Sequence, residues 1–465
     1  MANITFYGAA RQVTGSCYLI ETEHHRLLLE CGMRQGEDED ENEAGPGERA
    51  LPFDPRSIDA VILSHAHLDH TGMTPLLVRH GYRGPIYMTA TTCQLLPIMH
   101  KDSAFLLMKD VEWINKRRQR AGKPPFEPPY TLQDVEHELE LCEGMHYEEK
   151  RTILPGVELR YRDAGHILGS AIVELWFDGR KLVFSGDLGN SHSPLLEDPA
   201  LIESADILLM ESTYGDRNHR SHEETLREFR EALDEAVDDG GNVLIPAFAV
   251  GRTQDILFHL GEMYQEGRLR QNQVFLDSPM GTSVSEVYEQ NLHLFNEDNP
   301  RFRKKMTHTW EQWLPVLRFT RETEESMALN RIESGAIIIA GSGMCTGGRI
   351  RHHLKHNLWK RKTHVLIVGY QAFGTLGRKL VDGAKRVRIL GQEIAVNAKI
   401  HTLGGFSAHA GQDQLIAWAR HFHKPRPRLF LVHGEPESML ALQSRLAHEL
   451  NWEAVMPDEG ESYGI

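Results

Sequence analysis

No Cys-x-x-Cys pair occurs in this chain. Its five cysteines, Cys17, Cys31, Cys93, Cys142 and Cys345, are odd in number and scattered. That argues against both a disulfide framework and a cysteine-built zinc site. No apolar run reaches the length of a membrane span, so no membrane partner is expected. The N-terminus, MANITFYGAARQ, lacks a basic start followed by an apolar stretch, and a cytoplasmic protein is expected. Positive charge is in short supply: 51 Lys and Arg stand against 66 Asp and Glu, a net charge of −15. Alone, that argues against nucleic-acid binding. The run EDEDENE at 37–43 supplies six of those negative charges, however, and reads as a solvated loop. Internal repeats are absent.

Histidine, by contrast, is plentiful, with 26 among 465 residues. The length calls for two or three cores. The first part is β-rich: ITFY, CYLI, RLLLE and DAVILS read as strands. Residues 91–142 look helical, interrupted by KPPFEPPY at 123–130. Strands return with VELRYRDAG, AIVELWF, KLVFSGD and ADILLMES. From about residue 212 helices and strands alternate, with helices over 222–238, 251–266, 281–292 and 348–358 between GNVLIPAF, QVFLDS, GAIIIAG and THVLIVG. That rhythm predicts a parallel α/β unit. Strands EIAV, KIHTL and RLFLVHG, with helices between, complete the chain.

The densest chemistry is VILSHAHLDHTG, 61–72. VILS reads as an interior strand ending at the edge of a core. His65 and His67 alternate on extended backbone and so point the same way. Asp69 and His70 follow as the chain turns. Imidazole suits zinc, and carboxylate can join or bridge. One corner cannot close two metal sites, but similar corners exist. His166 lies between glycines in RDAGHILGSA, Asp187 follows the strand of KLVFSGDLGN, and His433 ends that of RLFLVHGEPE. Together these make five histidines and two aspartates, enough for two metals.

The motifs HAHLDH, AGHILGSA, SGDLGN, ESTYGDR, GSGMCTGGRIRHHL, GFSAHAGQ and VHGEPE resemble, in order, those of the metallo-β-lactamase superfamily. More narrowly they resemble its β-CASP branch of RNA-processing nucleases. The resemblance implies an α/β chain: an αββα sandwich from residues 1–210 and 391–465, with a Rossmann-like β-CASP domain, 211–390, inserted between. It implies one zinc held by His65, His67 and His166, a second by Asp69, His70 and His433, and Asp187 as the bridge. Manganese is a second choice of metal. Two such ions, about 3.5–4 Å apart, share a water and make hydroxide available at neutral pH. Asp69, Glu211 and His409 are the residues implied in catalysis, with His409 paired to Glu211 as general acid for the departing ribose oxygen. Glu30 stands where the family usually has Asp, supporting a ligand histidine from behind. Gly411 replaces the acid of the more usual SAHAD.

The resemblance names single-stranded RNA as partner and allows a homodimer. Phosphates would rest on Ser342, Gly343, Met344 and Arg349, since Gly-rich backbone before a helix exposes N–H groups, and on Ser407 and Ala408. Tyr370 could stack a base, and Phe373 reads as core. The expected activity is a ribonuclease, cutting internally in RNA processing or decay. The rivals are a 5′-exoribonuclease, a small-molecule ester or thioester hydrolase of the same superfamily, a DNA nuclease and an inactive scaffold. His433 favours RNA over DNA, because DNA-repair relatives typically have Val there.

Overall fold

The computed structural model describes residues 2–34, 51–191, 193–296, 309–372 and 374–465. The acidic run 37–43 and Phe373 lie outside the described residues. Contacts divide the chain into two compact units. The first comprises Met1–Ser191, Asp198–Asn218 and His409–Ile465, and the second His192–Glu197 and His219–Ala408.

The first unit is a sandwich of two seven-stranded sheets. In one, strands Asn3–Gly8, Cys17–Glu21 and Arg26–Leu29 are antiparallel, and the last runs parallel to Ala60–Ile62, Ile86–Thr89 and Cys142–Met145. In the other, Lys150–Leu154, Val157–Asp163, Ala171–Phe177 and Arg180–Phe184 are antiparallel. Arg180–Phe184 then runs parallel to Ile207–Glu211, Arg428–Val432 and Ala454–Val455. Side-chain alternation explains the layers, because successive residues of a strand face opposite ways. Leu27, Leu29, Ala60 and Ile62 face Leu182, Phe184, Ile207, Leu209, Phe430 and Val432 between the sheets. Their neighbours Leu28, Val61 and Leu63 face outward to Leu77, Val78 and Leu96 of covering helices. On the far side Val183, Leu208, Met210, Leu429 and Leu431 pack on Leu415, Ile416, Leu442 and Leu446. Strands covered on both faces need apolar residues at every position, which is why VILS and RLFLV read as continuous runs.

The second unit is built on a six-stranded parallel sheet. Its spatial order is Leu317–Phe319, Gln273–Leu276, Ala336–Ala340, Val243–Pro246, His364–Ile367 and Lys399–Thr402. The helix His222–Asp238 shows the local logic. Ser221 caps it by accepting the Glu224 N–H at 3.2 Å, two acids sit in its first turn, and Phe229, Ala232, Leu233 and Ala236 form its buried stripe. The strand Lys399–Thr402 pairs with His364–Ile367. Residues up to 408 therefore pack with the second unit, beyond the return at 391 that the resemblance implies.

Among the described residues no helix is long and apolar enough to cross a membrane.

Asp277 is the polar anchor of the second unit. Its carboxylate is fully buried and accepts from Thr320 Oγ1 at 2.6 Å, Arg349 Nη1 at 2.7 Å, Ser326 Oγ at 2.6 Å and His353 Nε2 at 2.6 Å. Burial alone would raise its pKa, but the bonds from His353, Ser326, Thr320 and Arg349 outweigh it and hold the group well below the usual carboxylate range. A folded pKa below the unfolded one contributes stability that is complete above about pH 4 and is lost as pH falls toward the folded value. Asp277→Asn is therefore expected to cost on the order of 3 kcal/mol near pH 7, because it breaks a buried ion pair. The gap from wild type should narrow below about pH 4. Urea midpoints at pH 7 and pH 3 check both parts.

Candidate metal and catalytic centre

Every predicted ligand lies on a turn or short helix that follows a strand of the first unit. His65 follows Ala60–Ile62, Asp187 follows Arg180–Phe184, His433 follows Arg428–Val432, and His166 sits in the turn after Val157–Asp163. His67 caps the short helix Leu68–Thr71, which carries Asp69 and His70. Ligand sites of parallel sheets form beyond the carboxyl ends of the strands, where loops leave in different directions.

Asp187 is the hub, with a side chain 2 % exposed. Its Oδ2 lies 3.5 Å from His65 Nε2 and 3.6 Å from His166 Nε2. His67 Nδ1 completes that group, 3.1 Å from His65 Nε2 and 3.3 Å from His166 Nε2. The other oxygen, Oδ1, lies 3.4 Å from His70 Nε2. His70 Nε2 is 3.2 Å from His433 Nε2, which is 3.5 Å from Asp69 Oδ2. Two groups of donors thus face the two oxygens of one carboxylate. Asp187 Oδ1 is buried with no hydrogen-bond partner. Ring nitrogens crowded at 3.1–3.3 Å around buried carboxylates suit a shared cation. The donor set fits bound metal of the zinc class.

Electrostatics prepares these groups. Burial, followed by the neighbouring imidazole of His70, holds His65 well below its usual pKa. Burial likewise lowers His67, to about 4, so both rings are neutral near pH 7. Burial alone would raise Asp187, but the imidazoles of His433, His70 and His65 hold it well below its usual range. His70 is desolvated as well, yet the carboxylates of Asp187 and Glu30 keep it protonated.

Behind the ligands, Glu30 is completely buried. It accepts from the Ser64 N–H at 2.6 Å and the Ser64 hydroxyl at 2.9 Å, and it bonds His70 Nδ1. Ser64 Oγ also meets His65 Nδ1 at 2.9 Å. One carboxylate thus orients His70 directly and His65 through a hydroxyl. Glu30 adopts φ +64°, and His433 φ +50°. Side chains with a Cβ rarely enter this left-handed region, and such backbones gather at functional sites. Ser64 and Thr213, whose hydroxyl lies 3.1 Å from His433 Nδ1, were missed in the sequence. Their only signal is closeness in sequence, Ser64 next to His65 and Thr213 two residues after Glu211. Close packing draws on glycine too: a Cβ on Gly189 would stand 2.0 Å from the Gly165 carbonyl oxygen, next to His166.

His409 lies beside this centre. Its Nδ1 is 3.3 and 3.4 Å from the two oxygens of Glu211 and 3.9 Å from Asp187 Oδ2. Glu211 is fully buried and accepts the Leu188 N–H at 2.6 Å. The residue after His409 closes the arrangement, the Ala410 N–H donating to the Leu188 carbonyl at 2.8 Å. Burial lowers the His409 pKa, but the Glu211 charge and hydrogen bond, then Asp187 and Asp69, carry it up to about 9.

The expected phosphate contacts fare differently. Arg349, in the second unit, spends its guanidinium on Asp277, on the Thr320 carbonyl at 3.2 Å and on the Arg321 carbonyl at 2.7 Å. Its guanidinium, implied for RNA phosphate, is thus engaged within the second unit. Ser342 Oγ accepts the N–H groups of Thr346 and Gly347 at 3.0 and 3.1 Å, so the Gly-rich turn uses those donors on itself. Gly343 and Met344 belong to the same turn, their carbonyls taken by Gln371 Nε2 at 3.0 Å and the Gly377 N–H at 3.1 Å. Ser407 and Ala408 immediately precede His409.

Comparison with known families and proteins agrees with this geometry. A model described as the metallo-beta-lactamase superfamily matches residues 10–247. One described as the Beta-Casp domain matches 253–380, and one described as the Zn-dependent metallo-hydrolase RNA specificity domain matches 393–457. The chain is 43 % identical to "Ribonuclease TTHA0252" of Thermus thermophilus over 95 % of each chain. It is 35 % identical to "Transcription termination factor FttA" of Methanocaldococcus jannaschii, over 94 % of this chain and 67 % of that one. An "RNase J-like protein" of the same organism is 30 % identical over 99 % of both. A solved structure of a protein of unknown function from Enterococcus faecalis shares the fold, with a TM-score of 0.56, 13 % identity and 99 % of each chain covered.

Proposed function

The chain belongs to the metallo-β-lactamase superfamily, in its β-CASP branch, and is a metal-dependent hydrolase acting on RNA; from that premise we propose that it holds two zinc ions and cuts single-stranded RNA internally. What supports the pair of ions is the division of donors between the two oxygens of Asp187. His65, His67 and His166 would hold one, Asp69, His70 and His433 the other. When bound, the pair supplies a nucleophilic water near neutral pH and draws charge from the phosphodiester.

The chain's own side chains do the rest. Glu30 and Ser64 keep His70 and His65 turned with the correct nitrogen inward. Asp69, whose side chain is 21 % exposed where the other carboxylates are closed off, is the ligand that incoming substrate reaches. His409 carries a proton on a ring aligned by Glu211, and gives it to the departing ribose oxygen. Ser407 and Ala408, which precede that histidine in the chain, and Ser342, Gly343 and Met344 are the residues the resemblance implies for phosphate. Arg349 acts in this reading as a brace for the second unit.

The test is a 5′-labelled single-stranded RNA incubated with zinc-loaded protein, with and without a chelator, and sized on a gel. Chelator-sensitive intermediate fragments are expected. Labelled mononucleotide alone would replace internal cutting by 5′-exonuclease action. Intact RNA across several sequences, with thioesters hydrolysed instead, would overturn the RNA reading.

A further inference from the structure

A second histidine cluster lies in the second unit, among residues the proposed reaction does not use. The parallel strands His364–Ile367 and Lys399–Thr402 pair with His364 opposite Lys399 and Leu366 opposite His401. Partners across strands, and residues two apart on one strand, share a sheet face. His364, Lys399 and His401 are therefore on the same face. The helix His222–Asp238 brings Glu235 to that face, and Asp239, four residues on, caps it.

The contacts are specific. His364 Nε2 donates to Asp239 Oδ2 at 3.0 Å. An ionised carboxylate only accepts, so Nε2 carries a proton, and in the neutral ring Nδ1 then offers a lone pair. Lys399 bonds Asp239 Oδ2 at 2.7 Å and keeps that carboxylate charged. His364 Nδ1 points at His401 Nε2, 2.9 Å away. Glu235 Oε2 lies 4.0 Å from the same His401 nitrogen, while its other oxygen, Oε1, takes Lys399 at 2.6 Å. The three facing atoms come from a buried ring, a half-buried ring and an exposed acid, which leaves a route for solvent.

An imidazole whose far N–H is held by a carboxylate is the arrangement that metal-binding histidines use. We propose that His364 Nδ1, His401 Nε2 and Glu235 Oε2 form a further zinc-class site, oriented by Asp239 and completed by water. Two imidazoles and one carboxylate suit zinc and its late-transition neighbours over magnesium or calcium. The ion ties the edge strand Lys399–Thr402 to its neighbour and to the covering helix. The Lys399 ammonium opposes the ion, so the affinity is modest. The competing arrangement is a plain N–H···N bond from His401 to His364, with no metal.

The experiment titrates the metal-free full chain with Zn2+ alone, by calorimetry and by metal analysis after gel filtration. His401→Ala should bind one equivalent fewer than wild type. Asp187→Ala, which disables the other ligand groups, should keep that equivalent, so the result stands apart from the ribonuclease reading. Lys399→Met should bind it roughly tenfold more tightly, the effect of removing one nearby like charge. This variant gains affinity, so misfolding cannot imitate the result. Equal zinc content in wild type and His401→Ala, or no tightening in Lys399→Met, would overturn the site.

Discussion

Replacing His409 by alanine should slow RNA cleavage roughly 10²- to 10⁴-fold, the range for removing a positioned general acid, while the metal content stays as it was. The expectation rests on where the ring sits. Its Nδ1 faces Glu211 at 3.3 Å, and the sum of its surroundings keeps it protonated at neutral pH. Metal ions on Asp187 and Asp69 would cancel the contributions of those two carboxylates, which leaves Glu211 as the partner that holds the proton. Glu211 is the right group for this: it is buried, and the Leu188 N–H fixes its other contact at 2.6 Å. A ribose oxygen is a poor leaving group and needs that proton, whereas a nitrophenolate does not. The loss should therefore shrink to about tenfold or less on a nitrophenyl phosphodiester, because little general-acid catalysis is left to remove. Equal slowing of both substrates would make His409 a phosphate-positioning residue instead. Cleavage of RNA at the wild-type rate would remove it from the mechanism.

Asp187→Ala should remove both ions from the catalytic centre at once and lower cleavage by on the order of 10³-fold or more, at least the loss seen for one electrostatic contact to a transition state. The reason is that neither donor group is complete without it. Oδ2 closes on His65 and His166, and Oδ1 on His70. A variant of any one histidine spares the opposite group, so a graded loss is expected there and a joint loss here. Thermal melting gives a readout independent of catalysis. Zinc should raise the wild-type melting temperature by mass action and raise that of Asp187→Ala much less. If metal analysis found one ion retained at full occupancy in the catalytic centre, the bridging role would fall.

Much of this centre was legible because metal chemistry restricts residue types and strand ends restrict their place. HAHLDH follows an apolar run, and each of His166, Asp187 and His433 repeats that pattern. The helix over 222–238 was visible for a similar reason: its cap, acids and apolar stripe are all local. What stayed hidden depended on partners distant in the chain. Nothing near Arg349 signals that its guanidinium closes on Asp277, which only the folded sheet brings to it. The four residues of the strand Lys399–Thr402 look like any short strand, and their pairing with His364–Ile367 is a property of the second sheet. Glu30 is longer than the family's usual aspartate by one methylene. Its reach to both Ser64 and His70 comes with a left-handed backbone, which no composition announces.

The order of the ligands along the chain has a consequence during translation. His65, His67, His166 and Asp187 emerge from the ribosome before the segment 219–408 of the second unit, but His433 emerges after it. The strand before His433, Arg428–Val432, lies between Ile207–Glu211 and Ala454–Val455, and His409 also arrives late. Before the segment 219–408 is made the chain has the first donor group and all of the second except His433, but not His409. The proposed centre therefore cannot be complete until the whole segment between Asp187 and His433, second unit included, has been made.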